Sequence, residues 1–169
     1  MKNIVHVTQY HSPYGKIFMG SDGKFLTGLW FEQQKYFPED LIDGATNKEL
    51  PVFAQTREWL NRYFQRIQPD FTPAIRLDNT PFRVAVWEIL QTIPYGRTTT
   101  YKQIAEEIAR RKAIPHMSAQ AVGGAVGHNP ISIIIPCHRV IGSNGSLTGY
   151  AGGLQLKQQL LALEQTTLF

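Results

Sequence analysis

The chain has 169 residues, 43% hydrophobic and 18% charged, which is ordinary globular usage and enough for one good core or two small ones. Its one cysteine excludes an intramolecular disulfide and a cysteine-based structural zinc site, and no apolar run approaches the ~18 residues of a membrane span. The net charge of +4 lies wholly in the second half: residues 1–78 carry nine Lys/Arg against nine Asp/Glu, and residues 79–169 carry eight against four.

A surplus of that size is ordinarily a solvated face, and it also suits an anionic partner for the C-terminal half. Met1-Lys2-Asn3-Ile4-Val5-His6 lacks the apolar core of a secretion signal, and a lone thiol survives best in a reducing compartment. A cytoplasmic protein is expected.

Short strands are predicted around residues 4–10, 16–20 and 25–31, separated by the turn signals Ser12-Pro13-Tyr14-Gly15 and Ser21-Asp22-Gly23-Lys24. Val52, Trp59, Leu60, Tyr63, Phe64 and Ile67 recur at helical spacing and predict an amphipathic helix over 51–67. Pro69, Pro73 and Pro81 punctuate a stretch without helical period, a connector that divides the chain into domains 1–78 and 79–169. The fold class is α+β, a small sheet with helix followed by a mainly helical domain.

Beyond the connector, Thr80 caps a helix that has Pro81 at its first position and Phe82, Val86, Ile89, Leu90 and Ile93 on its apolar face. Thr100 with Gln103 forms a capping box for a second helix, which ends at the cationic turn Arg110-Arg111-Lys112. Ser118 opens a third, Ala119 to Val126, stopping at Gly127; the pair resembles a helix-turn-helix. Gly123 and Gly124 inside it cost roughly 1 kcal/mol each relative to alanine. They fit close packing against another helix, or a recognition helix that approaches a groove tightly and ignores base sequence.

Ile133-Ile134-Ile135-Pro136-Cys137-His138-Arg139-Val140 carries the lone cysteine. Three β-branched residues predict a short buried strand that Pro136 terminates, with Cys137 at its exit. Cys137 reads equally as an inert buried thiol or as a reactive one whose pKa His138 and Arg139 depress.

Pro136-Cys137-His138-Arg139-Val140, preceded by Asn129-Pro130 and Ala121-Val122-Gly123-Gly124-Ala125 and followed by Gly149-Tyr150-Ala151-Gly152-Gly153, resembles the O6-alkylguanine-DNA alkyltransferases. These are also called methylated-DNA-protein-cysteine methyltransferases, and the resemblance runs from about residue 80 to 165. It implies that Cys137 accepts the alkyl group from guanine O6 in one irreversible displacement, so that each molecule acts once. A water, His138 and Glu164 would draw off the thiol proton, and Asn129 would fix the turn before the cysteine segment. Tyr101 would crowd the phosphate and help turn the nucleotide out. Gln120, Ala121 and Gly124 would face DNA on the recognition helix. Tyr150, Ala151 and Gly152 would form the lid over the flipped base. Arg139 is grouped with the base-binding residues, with a structural task. The first half is similar in layout to the family's N-terminal ribonuclease-H-like domain.

The partner so implied is double-stranded DNA containing O6-alkylguanine, with O4-alkylthymine open as a further substrate; no cofactor, metal, membrane or obligatory protein partner is expected, and the chain is expected to be a monomer. Two positions depart from the family pattern. Gln120 stands where many members have an arginine that enters the base stack, and Ala151 where some have a serine near the base. A non-catalytic DNA-binding relative would lack Cys137, and a cysteine hydrolase would need a histidine from His6, His11, His116 or His128, none of which has a recognisable context.

Overall fold

A computed structural model describes residues 4–165, so Met1–Asn3, part of the stretch read for a leader, lie outside the described residues. The chain divides into two compact units: Met1–Asp78 with Pro130–Ser132, and Asn79–Asn129 with Ile133–Phe169.

The first unit is built on a four-stranded sheet in the order β3-β2-β1-β4. β1 (His6–Ser12), β2 (Gly15–Ser21) and β3 (Leu26–Phe31) form an antiparallel meander, and β4 (Thr46–Asn47) pairs parallel to β1. Alternation sorts the faces. Val7 and Trp30 bury against Ile42 of the short helix α1 (Glu39–Asp43). Thr8 and Tyr10 point the other way and bind α2 (Pro51–Phe64): Arg57 donates to the Thr8 hydroxyl at 2.9 Å, and Tyr10 to Asn61 at 2.7 Å. Gly28 admits the Trp30 ring, since a Cβ there would lie 1.7 Å from it. The predicted helix 51–67 ends at Phe64 because Arg66 takes a left-handed φ of 63°. The second segment of this unit, Pro130–Ser132, lies along β3, with Ile131 bridged in parallel to Leu29.

The second unit is helical: α3 (Pro81–Leu90), α4 (Tyr101–Lys112), α5 (Ala119–Gly127) and α6 (Leu154–Gln165), with a two-stranded parallel ribbon of β5 (Thr99–Thr100) and β6 (Val140–Ile141). Local chemistry starts the helices. The Thr80 hydroxyl accepts from Arg83 N, Thr100 and Gln103 form both halves of a capping box, and the Ser118 hydroxyl accepts from Ala121 N. The buried Trp87 indole of α3 donates to the Ala125 carbonyl of α5 at 2.8 Å, which ties the two together inside a core of Val86, Leu90, Ile104, Ile108, Val122 and Val126.

The run Ile133-Ile134-Ile135 is not a strand. Ile133 is buried at φ 69°, a left-handed value that breaks any extended ladder, and Cys137–Arg139 form a single 3-10 turn. Tertiary anchoring on both sides of Ile133, described below, overrides the β preference of its side chain.

Candidate active site

The 3-10 turn sets three consecutive side chains in buried positions. Cys137 keeps 5% of its surface, His138 none and Arg139 8%. Burial of a histidine and an arginine is tolerable only with partners, and α6 supplies one partner to both. Lys157, Leu160, Leu161 and Glu164 recur at i, i+3, i+4 and i+7 and form its buried stripe, so Glu164 points inward. Its carboxylate accepts from His138 Nε2, from Arg139 Nε at 2.7 Å and from the Gly96 amide at 3.2 Å. Burial alone would raise Glu164, but His138 and Arg139 outweigh it and hold the carboxyl at about 2.

His138 is thereby fixed in one orientation. Nε2 faces the carboxylate, and Nδ1 is buried without a protein partner among the described residues. Burial lowers the imidazole pKa against the pull of Glu164, so the ring rests neutral. With Nε2 as the protonated nitrogen, the tautomer the carboxylate requires, Nδ1 carries a free lone pair. The arrangement is that of a base awaiting a proton.

The thiol corrects one expectation. His138 and Arg139 do not make Cys137 a resting thiolate; burial pushes its pKa above the ordinary value, and the Asn129 amide and the Lys157 charge offset this only in part. Arg139 is spent elsewhere, on Glu164, on the Ile93 carbonyl at 2.7 Å and against the Tyr95 ring at 5.7 Å. With 8% of its surface left, its guanidinium is held by these internal partners.

Asn129 donates through Nδ2 to the Ile135 carbonyl at 2.7 Å and closes the loop ahead of the cysteine. Tyr150 buries its hydroxyl against the Cys137 sulfur; burial, and then the sulfur's charge, push the phenol well above its normal pKa. The loop around it is shaped by small residues. A Cβ on Gly152 would lie 2.6 Å from Leu156 and 2.8 Å from the Tyr150 ring, so a larger residue there would have to push those side chains aside. Ala151 sits half-buried beside it.

Tyr101, at the start of α4, also faces this centre: burial and then the Cys137 charge raise its pKa. Its hydroxyl donates to the Thr148 and Gly149 carbonyls at 2.9 and 3.2 Å. Gly123 of α5 lies alongside, where a Cβ would be 3.9 Å from the Tyr101 ring.

Residues 81–166 match the family model of the 6-O-methylguanine DNA methyltransferase, DNA binding domain, and residues 5–78 that of its ribonuclease-like domain. The chain belongs to the O6-alkylguanine-DNA alkyltransferase family. The methylated-DNA-protein-cysteine methyltransferase of Haemophilus influenzae is 41% identical over 95% of this chain and 87% of its own length. The inducible enzyme of that name from Bacillus subtilis is 40% identical over 89% and 79%. Among solved structures, the O6-methylguanine methyltransferase of Mycobacterium tuberculosis superposes with a TM-score of 0.83 at 41% identity over 96% of this chain and 94% of that one. Its complex with DNA gives 0.82 at 40%, with the same coverage.

Within this alkyltransferase fold, Gln120, Ala121 and Gly124 are exposed on α5 and do not join the thiol centre. A Cβ on Gly124 or Gly127 would meet nothing within 4 Å, so close helix packing does not explain those glycines. They leave a bare helix face.

Sequence reading missed Lys157. Its fully buried side chain donates to the Thr148 and Gly149 carbonyls at 3.0 and 3.3 Å, lies 5.8 Å over the Tyr101 ring and brings a positive charge that acts on the thiol. The available signal was the α6 stripe, which places Lys157 and Glu164 on the same face as Leu160 and Leu161.

Proposed function

We propose that this chain repairs DNA by transferring the alkyl group of O6-alkylguanine to Cys137 Sγ, once per molecule, on a base turned out of the duplex through the minor groove. The observation that carries the reading is the Cys137-His138-Glu164 arrangement: a buried thiol followed by a neutral imidazole whose outer nitrogen is anchored and whose inner nitrogen is open.

The reaction begins with proton removal. A neutral thiol is a poor nucleophile, and the raised pKa of Cys137 means that deprotonation accompanies binding or transfer. The proton passes through one water to His138 Nδ1, while Glu164, ionised at any physiological pH, stabilises the imidazolium. Sγ then attacks the alkyl carbon and displaces guanine O6 from it. The S–C bond forms as the C–O6 bond breaks, the electron pair stays with the base, and the proton returns to guanine N1. The net result is a thioether and ordinary guanine, which leaves no thiol for a second cycle.

The lid of Tyr150, Ala151 and Gly152 holds the everted base, with backbone N–H groups making up for the missing serine at Ala151. Residues 79–169 are the DNA-binding alkyltransferase domain, and residues 1–78 the ribonuclease-H-like domain. The bare face of α5 enters the groove without selecting sequence, so any lesion context is accepted. Gln120 takes the place of the base that leaves the stack, and Tyr101 assists its rotation. Among the described residues no helix is long and apolar enough to cross a membrane. A lone thiol suits a reducing compartment, and on this reading the protein acts as a cytoplasmic monomer on duplex DNA.

The test is stoichiometry. An excess of duplex carrying labelled methyl on guanine O6 should load one methyl per chain and then stop. Continued release of methyl, or no transfer to protein, contradicts the proposal.

A further inference from the structure

The first unit holds the segment that leads into the nucleophile. Leu29 N donates to the Pro130 carbonyl at 2.8 Å and Ser132 N donates to the Leu29 carbonyl at 2.9 Å, which lays Pro130–Ser132 along β3 as an added strand edge. A side-chain bond reinforces it. The Ser132 hydroxyl donates to Gln34 Oε1 at 3.1 Å, and the same oxygen accepts from Phe31 N at 2.9 Å. Gln34 is 6% exposed and Ser132 4%, so neither group has water as an easy substitute.

The next residue is Ile133, a β-branched side chain at φ 69°. Such a conformation persists only where the chain on both sides determines it. On the far side Asn129 grips the Ile135 carbonyl; on the near side the constraint is Ser132, held to β3 and Gln34. The Phe31 bond by itself would close the turn after β3. The second bond, to Ser132, extends that fixed point to the chain entering Cys137.

We propose that Gln34 is a positioning residue for alkyl transfer: its side-chain oxygen fixes Ser132, Ser132 sets the chain direction at Ile133, and that direction aims Cys137 Sγ. The proposal rests on the reading of Cys137 as the acceptor. It assigns the N-terminal unit a task in the chemistry, carried through the chain.

Ser132→Ala removes the bond and leaves both the Leu29 ladder and the Gln34 turn. Because small misplacements of a reacting group cost large factors in rate, methyl transfer at saturating O6-methylguanine duplex should slow by about tenfold, with the half-saturating duplex concentration unchanged. Ser132→Thr, which keeps the hydroxyl, should return the rate to within about twofold of the unaltered chain, and Gln34→Met combined with Ser132→Ala should cost no more than Gln34→Met alone, which already removes the Ser132 bond together with the Phe31 bond. A merely structural bond would lower the melting temperature while leaving the saturated rate intact, and that result overturns the inference. Absence of transfer by the unaltered chain overturns it together with the acceptor reading; transfer by the unaltered chain at the rate of Ser132→Ala overturns it alone.

Discussion

Lys157 and Tyr101 meet at the same two acceptors. The ammonium and the phenol both donate to the carbonyls of Thr148 and Gly149, and the cation lies over the phenol ring. One buried charge therefore does two things: it secures the loop that precedes Tyr150, and it offsets part of the burial that keeps Cys137 protonated. Hydrogen bonds to a charged group are worth roughly 1.5–3 kcal/mol, so Lys157→Met should slow methyl transfer by about tenfold or more. Single-turnover kinetics check this.

The same lysine sets an alkaline limit. Burial lowers its pKa to about 8, so the ammonium is present below that pH and lost above it. Transfer should decline as pH passes 8, and Lys157→Arg, charged at every accessible pH, should lack that limb. The sign for stability is opposite. The unfolded chain retains the lysine proton to higher pH, so deprotonation relieves a buried charge and folding becomes more favourable above 8.

His138 and Cys137 form a second testable pair. Both rest neutral, the thiol pushed up and the imidazole pushed down by burial. The thiolate ultraviolet band should therefore be absent at neutral pH in the free protein. His138→Ala should lower the transfer rate by about 10²–10⁴-fold, the usual worth of a general base, without weakening duplex binding. A thiolate band at neutral pH would leave His138 no proton to remove and would contradict this order of events.

Glu164 links the site to folding. Its carboxyl is depressed to about 2 from an ordinary 4.5, so it stabilises the fold fully above the ordinary value and loses that contribution as pH falls from 4.5 towards 2. Glu164→Gln leaves the Arg139 guanidinium buried without its charge partner, a change that costs about 3–5 kcal/mol. Thermal melts should show a lower midpoint at neutral pH and a flatter acid dependence than the unaltered chain.

How far the sequence carried these residues depended on whether the cause was local. The strand meander, the Thr80 and Ser118 caps and the Thr100-Gln103 box are set by side chains a few positions apart, and their signals are readable in one dimension. The path through Ile133 is set by partners far along the chain, Leu29 and Gln34, so β-branched propensity pointed to a strand that does not form. Residues 46–47, 99–100 and 140–141 are strands of two residues, too short to carry a period. Lys157 was hidden by the ordinary expectation that a lysine is solvated. Cys137 stood out from its local run, the roles of His138, Asn129 and Glu164 came from motif resemblance, and the resting charge of the thiol was legible in neither, because desolvation is a property of the folded surroundings.

Gln120 is exposed at the start of α5. Gln120→Arg should tighten binding to undamaged duplex and steepen the fall of log affinity with log salt by about 0.9 per phosphate neutralised. A salt titration superimposable on that of the unaltered protein would remove Gln120 from the interface.

The most direct measurement is the mass of the Cys137 peptide after the protein has met O6-methylguanine duplex and been digested. The account predicts a gain of one methyl on that peptide, matched by loss of the lesion, with neither seen for Cys137→Ser. A methyl on another peptide, or repair of the lesion by Cys137→Ser, would contradict it.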